Sequence, residues 1–166
     1  MNTIFTRRSI RRFEDKPIEK EKLERIVRAG MQAPSAHNRQ PWEFLVITDK
    51  ETKNAVSKMT PYSGMAAFAG AVIIVLMNKI TGDFENNEFI QQDLGACTQN
   101  ILLQIVEEGL GGCWIGTYPK AENVKNVKEY FKLPEHIEPF SIIALGYSPN
   151  ENTFVDRYDE SKVKYI

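Results

Sequence analysis

The sequence predicts a single domain in which α-helices and β-strands alternate along the chain and share one hydrophobic core. The first observation is size: 166 residues fit one core, because such cores usually stop growing only beyond about 250 residues. The second is composition, since 42% hydrophobic and 26% charged residues supply apolar surface for a core and argue against disorder. The third is hydrophobic periodicity, which switches between the helical and the strand pattern along the chain.

Four segments show the helical pattern. Residues 19–31 place apolar side chains three and four positions apart, with acidic residues early and Pro34 just beyond the end. Shorter helices are predicted at 50–58 and 122–131. The longest periodic segment is 86–108, whose apolar side chains cover more than half of the helix circumference.

Four other segments show the strand pattern. Residues 71–77 are apolar and rich in β-branched side chains, which predicts a strand buried on both faces. Short apolar segments at 43–48, 113–118 and 139–147 predict three more strands. The predicted sheet therefore has four strands, and helices lie between most of them in the sequence.

The helix at 86–108 must be covered on two sides, and two explanations are open. It is either a central helix inside one domain or a helix that packs partly against a second subunit. Residues 150–166 form an extension without a core of its own. Its last five residues, KVKYI, alternate polar and apolar side chains as an added strand on another chain would.

Charge and hydropathy exclude two classes of partner. The net charge of −1 offers no overall field for attracting nucleic acid or an acidic membrane. The longest apolar run, 66–77, has 12 residues, whereas a membrane-spanning helix needs about 20. The start MNTIFTRRS lacks the apolar stretch of a signal peptide, and Cys97 and Cys113 are too few for a disulfide scaffold. We therefore expect a cytoplasmic protein that binds neither nucleic acid nor membrane.

Several common active-site chemistries are not encoded. Two cysteines, His37 and His136 lack the spacing of a zinc site, so no metal is predicted. No GxSxG nucleophile elbow and no GxxxxGK[ST] phosphate loop is present. In the run GLGGCWIG, Trp114 stands where a dinucleotide fingerprint needs its third glycine. His37 is expected at a rim or on the surface, and no protein side chain is assigned a catalytic role.

An arginine cluster is the first candidate for a binding role. Arg7, Arg8, Arg11 and Arg12 place four positive charges within six positions. A guanidinium group matches phosphate oxygens in both geometry and charge. The cluster is either a solvated basic face or a clamp for a phosphate. Because no second basic stripe or interleaved aromatic residues accompany it, a single phosphate group fits better than a nucleic acid.

Two further segments could border a flat ligand. Residues 34–42, PSAHNRQPW, combine two prolines that rigidify a loop with small polar side chains that can hold the edge of a heterocycle. Residues 109–116, GLGGCWIG, can bring the backbone and its N–H groups close to a ligand, because glycine has no obstructing side chain. The alternatives are a capped helix end for the first segment and a tight turn into a buried strand for the second.

Taken together and in this order, four motifs resemble the nitroreductase family of FMN-dependent oxidoreductases. They are RRSIRRF at 7–13, PSAHNRQPW at 34–42, GLGGCWIG at 109–116 and ALGYSP at 144–149. The resemblance implies an α+β fold with a central mixed, largely antiparallel sheet flanked by helices. It also implies an intertwined homodimer with two FMN molecules at the subunit interface, so the extension 150–166 is expected to pack on the partner subunit.

The resemblance also implies which residues bind FMN. Arg7, Arg8, Ser9 and Arg11 match positions that hold the phosphate and ribityl chain. A second group matches the loop that approaches the flavin from the partner subunit: Pro34, Ser35, Ala36, Asn38 and Gln40. Trp114, Ile115 and Gly116 match the segment packed on the isoalloxazine, and Arg157 matches a second phosphate-binding arginine.

The implied activity is hydride transfer from NADH or NADPH through flavin N5 to a small planar electrophile, such as a nitroaromatic or a quinone. The cofactor supplies the difficult chemistry, which agrees with the lack of an evident acid–base pair. One departure from the family pattern favours an alternative, an FMN-binding or redox-sensing protein with little turnover: Met65 stands where many relatives have a lysine near flavin N1 and O2. A second departure implies a weaker C-terminal part of the phosphate clamp, since Val155 replaces a basic residue two positions before Arg157.

Overall fold

A four-stranded antiparallel sheet forms the centre of the protein in a computed structural model that describes residues 2–150 and 152–166. The order of its strands is β1-β2-β4-β3, so β1 and β3 are the edges. Their bounds are β1 Trp42–Ile47, β2 Ala71–Asn78, β3 Gly111–Gly116 and β4 Ile137–Gly146. All three strand pairs are antiparallel, and the parallel component found in the described residues is an isolated bridge between Ser9 and Gly112.

Helices cover both faces of the sheet. Their bounds are α1 Thr3–Thr6, α2 Lys20–Met31, α3 Lys50–Val56, α4 Ile90–Glu107 and α5 Ala121–Phe131. Each predicted helix except the longest agrees with the structure to within two residues. The α+β class with a largely antiparallel sheet flanked by helices is therefore confirmed, while the intertwined homodimer stays a prediction.

Strand β2 divides the core into two layers. Because successive side chains point to opposite faces, Ile73, Val75 and Met77 pack into a cluster with residues of α2 and α4. Val72 and Ile74 pack into a second cluster on the other face, which includes residues of α3 and α5. All five side chains are fully buried, as predicted for this apolar segment.

Helix α4 begins at Ile90 and not at residue 86. The preceding residues form turns, because Asp83 O accepts the N–H groups of Asn86 and Asn87 and the Asn87 side chain donates to Gly82 O. These local bonds satisfy backbone groups outside a helix, as Asn and Asp residues often do. The apolar periodicity of 86–108 carries no information on this competing turn.

The chain itself covers most of the apolar circumference of α4. The helix packs on the sheet, and α2 crosses it so closely at Gly30 that an added Cβ would lie 2.8 Å from Ile101 Cγ1. Leu94, Ile101 and Ile105 are fully buried by these contacts. Phe89, just before the helix, remains 55% exposed. The apolar pattern of α4 therefore needs little cover from a second subunit.

The first part of the C-terminal segment contacts its own chain, and its last residues are exposed. Val155 N donates to Phe5 O at 3.1 Å, and the Phe154 ring stacks on Phe5 at a centroid distance of 4.9 Å. Farther on, Tyr165 and Ile166 are exposed. The strand-like pattern KVKYI forms no strand within the described residues, so packing of this extension on a partner remains a prediction. Within the same residues, no helix is both long and apolar enough to cross a bilayer.

An ion pair fixes the end of α4 to α2. Arg25 Nε and Nη2 each donate to Glu108 at 2.8 Å, and Gln104 Nε2 donates to the same carboxylate. The hydrogen bond from Arg25 lowers the pKa of Glu108 below its ordinary value. The ionised carboxylate is therefore favoured in the folded state.

We expect Glu108→Gln to lower the free energy of unfolding at pH 7 by about 1 kcal/mol, since Arg25 is half exposed and the loss is screened by solvent. A carboxyl group whose pKa is lowered on folding stabilises above its unfolded pKa, about 4.3, and loses that contribution as the pH falls through the folded value. Urea unfolding at several pH values should show the difference between wild type and variant shrinking below about pH 4. A difference that is unchanged down to pH 3 would contradict this assignment.

Candidate cofactor site at the edge of the sheet

The outer edge of β3 is the centre of the candidate site. Ile10 N donates to Gly112 O at 3.0 Å, so Gly112 points its backbone groups away from β4. The direction alternates along an antiparallel strand, and therefore Trp114 and Gly116 also point their N–H groups to the outer edge. Gly116 O accepts a hydrogen bond from Asn123 Nδ2 at 3.3 Å. A donor-bearing strand edge is thus exposed beyond Gly112.

The glycines of β3 were predicted as a turn or close-approach segment before a strand beginning at Cys113, and this boundary is wrong. Gly111 and Gly112 lie within the strand, opposite Gly146 and Leu145. A Cβ at Gly111 would lie 2.7 Å from Ile10 Cγ1, so only glycine lets the N-terminal segment cross here. The close approach at Gly111 is to the side chain of the chain's own Ile10, and the predicted approach of this segment to a ligand stays a prediction.

The other end of β3 offers a flat and open surface. Apart from Gly116 and its two chain neighbours, no atom of the described residues lies within 4 Å of a Cβ built on Gly116. Trp114, on the same side of the strand, is 38% exposed and lies 6.1 Å from the Phe140 ring. Ile115 points the opposite way and is 2% exposed in the core, so it could contact a ligand at this edge through its backbone only.

The arginine segment meets this edge through backbone pairing. The bridge between Ser9 and Gly112 places residues 7–11 beside the start of β3. Arg8 is half buried, and its guanidinium donates to Arg7 O at 2.6 Å and to Thr153 O at 2.8 Å. Arg11 is exposed and donates to Ser9 O at 3.3 Å. Two motifs about 100 residues apart in sequence are therefore neighbours in the fold.

The charge of this cluster is not neutralised within the described chain. The ion pairs found among residues 2–150 and 152–166 involve other side chains and none of Arg7, Arg8, Arg11 and Arg12. Four guanidinium groups within six residues therefore have no carboxylate partner in the described chain. This concentration of positive charge favours a doubly charged anion such as a phosphate monoester.

The loop at residues 34–41 has an unusual backbone. His37, Asn38 and Gln40 all have positive φ values, of 54°, 55° and 50°. This conformation costs energy for residues other than glycine and persists only where the surroundings impose it. Ser35 Oγ accepts from Gln40 N at 2.9 Å, and Gln40 Nε2 donates to Asn38 Oδ1 at 3.1 Å. The predicted rigidity of the loop thus has a hydrogen-bonded basis, and His37 is exposed as expected.

This loop lies at the opposite edge of the sheet from the arginine segment. It leads into β1, which is separated from β3 by β2 and β4. Three strand spacings amount to about 14 Å. Pro34, Ser35, Ala36, Asn38 and Gln40 are therefore not brought together with Arg7 and Gly116 within one chain.

Arg157 follows the segment that pairs with Phe5, and its side chain is exposed. The same segment supplies Thr153 O to Arg8. Arg157 therefore lies in a stretch tethered near the arginine segment, but no hydrogen bond or ion pair among residues 2–150 and 152–166 fixes its guanidinium there.

Two polar residues beside these motifs had no signal in the sequence. Asn123, 5% exposed on α5, bonds Gly116 O. Asp93, 6% exposed in the first turn of α4, accepts the Ala36 N–H at 3.0 Å. Both reach their partners through tertiary packing, so neither belongs to a local motif.

Other features of the surface are separate from this edge. One cleft of about 630 Å³ lies between α2 and α4, and another of about 720 Å³ lies between α3 and residues 64–69. In the described part of the chain, no three His, Cys, Asp or Glu side chains cluster as metal ligands. Cys97 is buried, which raises its pKa to about 12.

Comparisons with known proteins agree with the motifs. A family model described as the nitroreductase family matches residues 4–64 and 56–147. A protein of Archaeoglobus fulgidus, provisionally named an NADH dehydrogenase/NAD(P)H nitroreductase, is 37% identical over 98% of this chain and 95% of its own length. This chain is also similar to a crystal structure from Clostridium acetobutylicum, provisionally named an NADH oxidase, with a TM-score of 0.93, 41% identity and coverage of 98% and 97%.

A third similar protein was crystallised with FMN. It comes from Desulfovibrio desulfuricans and is provisionally named a nitroreductase in complex with FMN. Its TM-score is 0.83 at 28% identity, over 99% of this chain and 94% of that chain. The matched ranges contain all four motifs that carry the resemblance except the final residues of ALGYSP. The chain belongs to the nitroreductase family.

Proposed function

We propose that this protein binds FMN along the outer edge of β3 and passes reducing equivalents from NADH or NADPH to a small planar electrophile, such as a nitroaromatic or a quinone. Family membership makes the chain an NAD(P)H-dependent flavin oxidoreductase. When bound, FMN supplies the redox chemistry by accepting hydride at N5 and donating it onward. The observation that best supports this site is the Ser9–Gly112 bridge, because it places an arginine cluster without ion-pair partners next to an open strand edge.

The residues present fit a ligand with one anionic end and one flat end. Arg7 and Arg11 would bind the phosphate, while the exposed Ser9 lies between them. Gly112 and Gly116 are four residues apart along the strand, a span of about 13 Å. The open space at Gly116 would admit a ring, and the Gly116 N–H would donate to an acceptor on that ring.

The loop at residues 34–41 supports a homodimer as part of the proposal. It lies beyond β1, so it would reach a flavin at β3 only from a second copy of the chain. The described chain also leaves aromatic side chains exposed that a second copy would cover: Phe68, Phe89, Phe154, Tyr158 and Tyr165. The extension 150–166 would then pack on that second copy, and the closed site would exclude water from the ring.

Met65 supports the alternative of a flavin carrier or redox sensor. Its side chain is half buried against the core cluster of α3 and α5, so this position provides no cation near a bound flavin. A cation there would stabilise negative charge on reduced flavin. Without it, reduction by NAD(P)H would be slow unless another donor takes the role.

An absorbance spectrum followed by anaerobic titration tests the proposal. The purified protein should show bound FMN in a ratio of one per chain, bleach with NADH or NADPH faster than free FMN, and recover its colour with a quinone. Double-reciprocal plots for reductant and acceptor should be parallel, as expected when both use one pocket in turn. Bound FMN that bleaches no faster than free FMN would favour the alternative. A protein that binds no added FMN would contradict both the proposed oxidoreductase and the flavin carrier or redox sensor.

A further inference from the structure

Asp93 is a buried acidic residue whose side chain bonds the loop at residues 34–41. Oδ1 accepts the Ala36 N–H at 3.0 Å, and the residue is 6% exposed in the first turn of α4. Oδ2 is also buried and receives no hydrogen bond from the described residues. A buried carboxylate with an open acceptor position costs stability, so packing alone does not explain its presence.

The loop needs an external constraint. His37, Asn38 and Gln40 adopt left-handed conformations that glycine would adopt at lower cost. The internal bonds from Asn38 N to Ser35 O and from Gln40 N to Ser35 Oγ close the loop on itself but do not attach it to the fold. Attachment comes from Asp93 at one end and, at the other, from the Arg39–Asp83 ion pair and the hydrogen bond that Asn78 N donates to Pro41 O at 2.8 Å.

We infer that Asp93 is a positioning residue, which holds residues 35–40 in the conformation that the flavin of the partner chain meets. This inference rests on the proposed function, because the loop matters only if it borders FMN. The helix carrying Asp93 is fixed by the core through Leu94 and Cys97, both fully buried. Asp93 therefore links the position of a rigid helix to the start of a strained loop through the hydrogen bond from Ala36 N–H.

Asp93→Ala, Asp93→Asn and Thr98→Val test this role. Asparagine keeps an oxygen at the Oδ1 position. Thr98→Val is the matched control, since it removes a buried hydroxyl five residues farther along the same helix. That hydroxyl bonds Leu94 O and Ser141 Oγ and makes no hydrogen bond to the loop. We expect Asp93→Ala to weaken FMN binding about tenfold, Asp93→Asn to stay within about threefold of wild type, and Thr98→Val to leave the affinity unchanged.

Amide hydrogen exchange on the FMN-free protein shows whether Asp93 holds the whole loop or only bonds the Ala36 amide. Ala36 N–H loses its acceptor in Asp93→Ala and will exchange faster in any case. Asn38 and Gln40 donate to Ser35, not to Asp93, so their amides exchange about tenfold faster only if the whole loop loosens. Unchanged exchange at both amides would overturn the inference, as would equal loss of affinity in Asp93→Asn and Asp93→Ala. If wild type binds no FMN, the proposed function fails, while the exchange data still decide whether Asp93 holds the loop.

Discussion

Replacing Gly116 with valine is expected to abolish FMN binding while leaving the chain folded. A Cβ at this position would lie in open space, because no atom of the described residues other than Gly116 and its chain neighbours lies within 4 Å of it. Valine is also favoured in an edge strand by its β-branched shape. The added methyl groups would instead occupy the space that the proposed flavin needs. Affinity for FMN should fall about 100-fold or more, since this factor corresponds to about 2.8 kcal/mol, the upper part of the 1–3 kcal/mol that overpacking typically costs.

The measurements separate the two expected effects. The midpoint temperature of thermal unfolding, measured without FMN, reports on the fold. It should be the same in Gly116→Val as in wild type, or slightly higher. Fluorescence titration with FMN reports on the site, and Gly116→Ala should give an intermediate loss of about tenfold, in line with one added methyl group. Lys125→Ala is a suitable control, because that side chain is exposed on α5 and pairs only with the exposed Glu129 in the described chain.

Two outcomes would count against the assignment of this edge. Wild-type FMN affinity in Gly116→Val would mean that the flavin lies elsewhere. An equal loss of stability and affinity would mean that Gly116 is needed for the strand itself and not for a ligand.

The sequence predicts the core of this fold well where the residues of an element are apolar on every face that is buried. Strand β2 is the clearest case, since its side chains on both faces are fully buried and no polar residue interrupts the apolar run until Asn78. Periodicity fails where polar side chains bond the backbone locally. Asn87 and Asp83 form turns ahead of α4, and the helical pattern there gives no sign of them.

The candidate site divides in the same way. Arginines and glycines cluster in short motifs, so the two halves of the β3 edge can be found by inspection. The contact between these two motifs cannot be found from the sequence, because the bridge between Ser9 and Gly112 joins residues far apart in the chain. Asp93 and Asn123 are isolated polar residues within helical patterns. Only the packing of α4 and α5 turns their side chains toward Ala36 and Gly116.

Removal of two arginines should produce the second large effect. In Arg7→Ala combined with Arg11→Ala, we expect FMN affinity to fall about 100-fold or more, because hydrogen bonds to a charged group contribute about 1.5–3 kcal/mol each. Neither side chain has a carboxylate partner in the described chain, so their loss should cost little stability. Unfolding measured without FMN checks this second expectation.

Riboflavin distinguishes phosphate recognition from a general disturbance of the site. It carries the same ring as FMN but no phosphate, so its affinity should be the same for wild type and the double variant. The difference in FMN affinity should also shrink as salt is added, since exposed charges are screened within about 8 Å at physiological ionic strength. Arg12→Ala is the matched control, because Arg12 is exposed in the same cluster but lies outside the proposed phosphate contacts.

Arg8 should behave differently from its neighbours. Its guanidinium already donates to Arg7 O and Thr153 O, so Arg8→Ala would release the C-terminal segment as well as a positive charge. Proteolysis of the segment that follows Thr153 should be faster in Arg8→Ala than in wild type. The same rate in the Arg7 and Arg11 double variant as in wild type would support this structural role of Arg8. If riboflavin affinity falls as far as FMN affinity in the double variant, the arginines shape the site in some other way, and their assignment as a phosphate clamp is wrong.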